Sequence, residues 1–578
     1  MKETFKNIRF MYKYGREYRK ALLFETIGSL LGIFIGIIVP IISAKMLVDL
    51  TTNKWEQLLI MTTIVLIINL IDGLKTVLIR KNTQKFTVGV THKLQSQLGK
   101  EILKISQYDI DNNSTGMFVQ RMTSDASELS NMFTVGFGRL VGILTSVGTF
   151  ISVFIINKTV FFFYLVCAIL LTYFHLIKSS KVKRKNREKR KADEKVTSLT
   201  SELIRGIRDI KMLNAKASFF KKLDSSIDEL NDKYLEARNI DINYNLLIET
   251  LISIANFLLI AIFVYLIKLD MLSVPMAVAL YSYRDRLLTN FMERISQLLE
   301  EITRFNLSFE RVSAILGNDK YSKEKFGTKE IKKVKGNFEF KNVTFSYTDG
   351  LKVLDNISFK VDANTTIGFV GESGSGKTTI FNLICKLYNA DSGEILIDNY
   401  NINDLTEKSI RGNITIIGQN PYVFNMSIVD NMKLVKDNVS LKEIKEACKL
   451  ACLDEFIESL PEKYNTVIGE GGVTLSGGQK QRLAIARALI QKTEIILFDE
   501  ATSALDNETQ RKIQEAIDNL KSEYTIMIIA HRFSTILNCD KIFFIKDGKV
   551  VDSGTHNKLL KSCKDYKKLY DSEIKKTI

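Results

Sequence analysis

Residues 366–378 read TIGFVGESGSGKT. A short apolar run enters a loop of the form G-x-x-x-x-G-K-[ST], from Gly371 to Thr378, and a helical pattern follows. Strand, glycine loop and helix start, in that order, make a cradle for phosphates. The glycines let backbone N–H groups converge on anionic oxygens, and the helix N-terminus adds partial positive charge. In such a cradle Lys377 reaches the β- and γ-phosphates of a nucleotide and the Thr378 hydroxyl ligates Mg2+. Gly371, Ser373, Gly374, Ser375, Gly376 and Thr379 complete the expected binding stretch. A ligand-free glycine turn accounts for the glycines, but not for strand, Gly-Lys-Thr and helix falling in register.

Three further stretches extend this domain. Residues 495–498 (IILF) form a buried strand that ends in Asp499-Glu500. Acids at the carboxyl end of such a strand sit where ligands bind in α/β sheets, so Asp499 is expected to hold Mg2+ and Glu500 to act as general base toward water. Residues 525–530 (TIMIIA) form another strand, followed by His531, a candidate donor to the γ-phosphate. Residues 338–347 (FEFKNVTFSY) alternate as a strand. Strands separated by helical stretches predict an α/β domain with a mainly parallel core sheet. Downstream of the phosphate loop lies Leu475-Ser476-Gly477-Gly478-Gln479. A second small, glycine-rich, hydroxyl-bearing segment makes sense if it binds the same phosphates from another side, which implies two chains clamped around ATP.

Before residue 300 the chain changes character. Apolar runs at residues 21–44, 58–79, 136–156, 159–177, 246–267 and 273–294 are each long enough to cross a bilayer, the last being interrupted by Arg284, Asp285 and Arg286. Short connections carry little net charge, whereas residues 80–135 and 178–245 are long and rich in Lys and Arg. The positive-inside bias therefore places both termini and both long connections in the cytoplasm. Trp55, just before the second run, suits an interfacial anchor. The formal charge of +16 crowds residues 1–20 and 178–195, beside apolar runs, which argues for a membrane and against nucleic acid. The six cysteines show no metal-type spacing and are expected as free thiols. The N-terminus does not read as a cleavable signal.

The long connections are too helical in pattern to be loose. They are expected to prolong the membrane helices, with tips at residues 115–126 (TGMFVQRMTSDA) and 201–213 (SELIRGIRDIKML), ordinary amphipathic surface helices being the alternative. Residues 318–335 are polar and read as a linker between a membrane domain, 1–317, and a nucleotide-binding domain, 336–578. Pro40 is expected to kink the first span.

Taken together, these motifs resemble the ATP-binding cassette (ABC) transporters, and the resemblance covers essentially the whole chain. Residues 371–378 are similar to Walker A, 495–499 to Walker B, and 475–479 to the family signature. Gln419 falls in the place of the Q-loop, with a catalytic and metal-contacting role. Asp506, in Ser503-Ala504-Leu505-Asp506, falls in that of the D-loop, His531 in that of the switch histidine, and Tyr347 in that of the aromatic that stacks on adenine. Residues 467–472 (VIGEGG), with Glu470, resemble a segment that marks exporters. The resemblance implies an all-α six-helix transmembrane domain with long intracellular helical extensions, followed by an α/β P-loop ATPase domain. It also implies a head-to-tail dimer in which Ser476, Gly477, Gly478 and Gln479 of one chain close the ATP bound by the other. One intracellular tip would then cross to the partner's domain.

The expected activity is ATP-driven export of a hydrophobic or amphipathic compound, such as a drug, lipid or small peptide, across the cytoplasmic membrane of a bacterium. Both ATP sites of a homodimer would be complete, which favours it over a heterodimer. The absence of a peptidase segment before the first span argues against leader-cleaving exporters. Import of a metal chelate on the same fold is one alternative, and a membrane sensor using the ATPase cycle to signal is another. Glu25, Asp72, Arg139, Glu249, Arg284, Asp285, Arg286 and Glu293 lie in or near the spans, where charge defaults to a functional role. Arg284 and Arg286 are candidates for an anionic or peptide substrate, unless Asp285 neutralises one of them.

Overall fold

The computed structural model describes residues 2–317, 320–347, 350–418, 421–469, 471–499, 507–518, 520–530 and 533–577. They divide into two compact units, Met1–Leu103 with Ser114–Lys320, and Lys104–Asn113 with Tyr321–Ile578.

The first unit is helical throughout. Among the described residues five rods are long and apolar enough to cross a membrane: Thr4–Thr51, Trp55–Ile102, Thr115–Ile156, Lys158–Arg205 and Lys216–Lys268. At 1.5 Å per residue, a rod of 48 residues is about 70 Å long, more than twice a bilayer core. The sixth expected span, 273–294, is helical but not one rod. It runs as Val274–Ser282, a wide π-type turn at Asp285–Asn290, and Phe291–Leu316. Its charges at Arg284, Asp285 and Arg286 keep it below the apolarity of the other five.

The basic stretch 178–195 has a physical counterpart. Helix Lys158–Arg205 pairs with Lys216–Lys268, and Lys178 meets Asp241 at 2.9 Å, Lys185 meets Glu236 at 2.7 Å and Lys195 meets Glu229 at 2.8 Å. The rising and falling numbers mark an antiparallel hairpin whose charges fix its register more than its stability.

Pro40 sits inside helix Arg19–Thr51. Proline has no N–H, so the carbonyl of Gly36, four residues earlier, loses its helical donor. The Arg286 guanidinium donates to that carbonyl instead. Only glycine allows this approach, because a Cβ at position 36 would lie 2.6 Å from Arg286 Nη1. Beside it the Tyr283 hydroxyl donates to the Ile37 carbonyl at 2.7 Å.

In the second unit a six-stranded sheet has the spatial order Lys549–Gly554, Lys541–Lys546, Thr366–Val370, Thr525–Ile529, Ile495–Asp499, Ile414–Ile417. All neighbours are parallel except the first pair. Alternate residues feed opposite faces: Ile496 and Phe498 enter one core cluster, Ile495 and Leu497 the other. Burial on both faces explains why these strands read as unbroken apolar runs. An antiparallel sheet of Lys352–Val361, Phe338–Ser346, Ser392–Ile397 and Tyr400–Asn401 accompanies it.

The first tip lies elsewhere than residues 115–126. Those residues already belong to the returning rod, and the chain reverses at 103–114 through a five-residue helix, Gln107–Asp111. Ser106 caps it, accepting from the Asp109 N–H. This tip is part of the C-terminal unit because residues 322–324 bond to its backbone. Ser106 N–H donates to Ser322 O at 2.9 Å, and Glu324 N–H to Lys104 O at 2.8 Å. The stretch read as a linker is therefore pinned. Tyr321 and Val334 are buried, Glu324 holds Arg411 through two contacts of 2.6 and 2.8 Å, and Phe326 lies under the Arg411 guanidinium. A second short helix, Ile207–Met212, lies within the 201–213 stretch.

Candidate functional site

Strand Thr366–Val370 is buried at every position between two parallel neighbours, so its carboxyl end is a fixed platform. The loop that leaves it turns through Gly374 and Gly376, with φ of 82° and 98°. At Gly376 a Cβ would lie 2.6 Å from Leu354 Cδ2, and at Gly371 it would lie 2.0 Å from the Ile545 carbonyl. Glycine is required at 376 by its backbone conformation and at 371 by space. Helix Lys377–Ile384 starts directly from this loop, and no side chain caps its N-terminus. Amide donors and the helix dipole thus point where phosphates would sit.

Lys377 is buried, and its ammonium donates to the carbonyls of Gly371 at 3.0 Å and Glu372 at 2.8 Å, with Ser375 Oγ at 3.3 Å. The lysine is thereby held over the loop it serves. Ser373 and Gly374 form the exposed rim, while Ser375 and Thr379 are buried. Thr378 Oγ1 donates to Asp499 Oδ1 at 3.3 Å, so the two expected metal-binding oxygens lie together, one in the first turn of helix Lys377–Ile384 and the other at the end of strand Ile495–Asp499. Hard oxygen donors of this kind suit Mg2+. Tyr347 is half-buried at the end of strand Phe338–Ser346, its hydroxyl 3.2 Å from Thr379 Oγ1. Gln419, Glu470, Glu500, Asp506 and His531 lie outside the described residues.

The signature is built as a helix start. Ser476 caps helix Gly477–Gln491 in a reciprocal box, accepting from the Gln479 N–H at 3.3 Å while Gln479 Oε1 accepts from the Ser476 N–H at 2.8 Å. Leu475 and Gly478 are buried and anchor the turn, whereas Ser476 and Gly477 are exposed. No hydrogen bond among the described residues joins this segment to 371–378.

In the N-terminal unit, Glu25, Asp72, Arg139 and Arg286 line one cavity of about 780 Å3, together with Lys75, Arg80 and Arg294, which sequence reasoning did not single out. Glycines make room for them: a Cβ at Gly142 would strike Arg294 and one at Gly32 would lie 3.1 Å from Lys75 Nζ. The Gly28, Gly32, Gly36 spacing was the legible signal, since residues four apart share a helix face. Arg139 reaches Glu301 at 3.4 Å, and its buried Nε has no hydrogen-bond partner. Arg284 does not line this cavity. It pairs with Asp285 at 3.2 Å and stacks on Tyr281. Glu249 and Glu293 line a separate cavity.

Comparison with known proteins agrees with this geometry. The profile of the ABC transporter family matches residues 354–503, and that of the ABC transporter transmembrane region matches residues 22–291. The ATP-dependent lipid A-core flippase of Haemophilus influenzae strain Rd is 32% identical over 507 residues, 84% of this chain and 83% of that protein. The flippase of the same name in Haemophilus influenzae strain 86-028NP is 44% identical over 285 residues, a match spanning 48% of each chain. An uncharacterized ABC transporter ATP-binding protein of Bacillus subtilis is 29% identical over 554 residues, 95% of this chain and 92% of its own. A phosphate cradle, a capped signature helix and long apolar rods in one polypeptide, with these relatives, lead to one statement: the chain belongs to the ABC transporter family, as an exporter-type half-transporter that hydrolyses ATP.

Proposed function

We propose that this transporter exports a lipid-like amphiphile with an acidic headgroup, driven by ATP. The observation that carries the reading is the cavity in the membrane unit, lined by five cationic side chains (Lys75, Arg80, Arg139, Arg286, Arg294) against two carboxylates (Glu25, Asp72). Charge inside a membrane domain is costly unless it serves a partner or a ligand. Arg286 has a structural task at Gly36, and Lys75 pairs with Asp72. Arg80 and Arg294 therefore bear most of the proposed contact with an anion. The name of the relatives, lipid A-core flippase, supports a lipid-like cargo in general terms.

The functional unit in this reading is a homodimer, with both termini cytoplasmic. Ser476 and Gly477 face outward, ready to close a partner's site. The second tip presents Met212 and Leu213 at 80% and 77% exposure. An apolar tip of that kind calls for a cover, and the reading assigns it to the partner's ATPase domain. Mg2+ at Thr378 and Asp499 would neutralise phosphate charge when bound. Lys377 and the loop amides orient the triphosphate, Glu500 takes the proton of the attacking water, and Gln419, His531 and Asp506 complete the closed site. Losing the γ-phosphate removes the contact that holds the chains together.

The test is ATPase activity of the full-length protein in nanodiscs titrated with amphiphiles matched in chain length. Acidic headgroups should stimulate turnover and zwitterionic or cationic ones should not. Equal stimulation by all three would overturn the acidic assignment.

A further inference from the structure

The tip 104–113 is held at both ends, and one of its holders touches the nucleotide site. At its start, Lys104 and Ser106 bond to residues 322–324, and Glu324 clamps Arg411. Arg411 in turn donates to the carbonyls of Cys385 and Lys386, in the turn that ends the helix begun at the phosphate loop. At the tip's other end, the Tyr388 hydroxyl donates to the Asp111 carboxylate at 2.6 Å. Burial and that carboxylate both push the Tyr388 phenol pKa up, so it stays a donor throughout the neutral range.

The Tyr388 ring is also packed edge-on against Tyr347, with centroids 5.1 Å apart and planes at 86°. Phe345 completes a three-ring cluster, 4.8 Å from Tyr347 and 5.7 Å from Tyr388. Tyr347 is tied to the phosphate-loop helix by Thr379 and by Asn382, whose side-chain amide donates to its hydroxyl at 3.2 Å. A nucleotide whose phosphates lie at 371–378 needs a flat apolar partner for its base. Tyr347, half-buried and bonded to that helix, is the aromatic in place to supply one. A base pressed on Tyr347 loads one face of a cluster whose far member holds the tip.

We propose that Tyr388 is a positioning residue that transmits occupancy of the Tyr347 face to the tip 104–113, so that the tip responds to the base of the nucleotide as well as to its triphosphate. The inference rests on the nucleotide site described above. Inorganic tripolyphosphate, which has no base to stack, would fill the cradle and leave the tip less constrained.

Hydrogen–deuterium exchange on the full-length protein in nanodiscs tests this, using a non-hydrolysable ATP analogue and inorganic tripolyphosphate. The readout is the ratio of exchange rates with and without nucleotide, for peptides covering 371–378 and 104–113. In the unsubstituted protein the ATP analogue should slow both. At a concentration that protects 371–378 equally, tripolyphosphate should protect the tip markedly less. In Tyr388→Phe, which keeps the ring, the ATP analogue should still protect 371–378. The protection ratio of the tip should fall by about tenfold or more, the scale for losing one hydrogen bond to a charged group. Asp111→Ala, which removes the acceptor, should behave alike. A merely structural hydroxyl would raise tip exchange equally with and without nucleotide; an unchanged ratio overturns the proposal. Equal tip protection by the ATP analogue and by tripolyphosphate overturns it too. If the ATP analogue fails to protect 371–378 in the unsubstituted protein, the nucleotide-site reading falls first and this inference with it.

Discussion

In the C-terminal unit, strand Ile495–Asp499 hides its apolar residues on both faces and carries its acid to the end. In the N-terminal unit, Leu30 and Leu59 face outward while Glu25, Arg139 and Arg294 line an internal cavity. One unit is ordered by water outside it and the other by lipid, so polar chemistry collects at strand ends in the first and between helices in the second. Precision differs in the same sense. The phosphate loop is fixed by backbone, with glycine demanded at 371 and 376, whereas the cavity is shaped by long flexible side chains that glycines merely admit. The first should recognise one ligand strictly, and the second a class of ligands.

The largest effect should come from Glu500→Gln. ATP turnover should drop by about a hundredfold to ten-thousandfold with ATP binding retained, measured by phosphate release and by equilibrium binding. Undiminished turnover would remove Glu500 from the base role. Ser476→Arg should lower turnover of the dimer by about a hundredfold or more while the ATP affinity of each chain barely changes. Affinity lost in step with turnover would mean that the signature acts within its own chain.

Arg294→Ala tests the looser region. The concentration of acidic amphiphile giving half-maximal stimulation should rise by about tenfold, the effect of losing one charged hydrogen bond, with basal ATPase unchanged. If basal turnover falls instead, the residue holds the helices rather than the cargo. The smallest effect is expected at Gly36→Ala, which forces Arg286 off its carbonyl. Because only the flexible end of Arg286 must move, it should cost about 1 kcal/mol of stability or less, read as a shift in the denaturation midpoint, and leave ATP affinity alone. A neutral outcome would mean that the Arg286 contact is dispensable.

The strict region was also the legible one. Val370 and Phe498 announce themselves because a strand buried on both faces must be apolar throughout, and Lys377 follows from its loop. The rods were readable for a parallel reason, since lipid demands length and apolarity. What escaped depended on partners distant in sequence. Ser106 and Asp109 carry a helix-start signal, yet polar residues around them gave no apolar period, and the more amphipathic 115–126 drew the tip past its true place. The linker looked loose because its anchor, Arg411, lies 87 residues from Glu324. The bond from Arg286 to Gly36 was hidden in the same way, because it depends on Pro40 freeing a carbonyl 250 residues away.

The tip's membership in the C-terminal unit also sets an order of events during synthesis. Residues 104–113 leave the ribosome about two hundred residues before 321–324, the first of the strap that binds them. Until then Ile105, buried in the finished unit, has no cover, and the ATPase domain that emerges last must close around a piece already threaded between two long helices. An ATPase fragment expressed from residue 321 onward would lack that piece. The C-terminal unit is therefore assembled from two separate stretches of the chain, the earlier of which waits uncovered for the later.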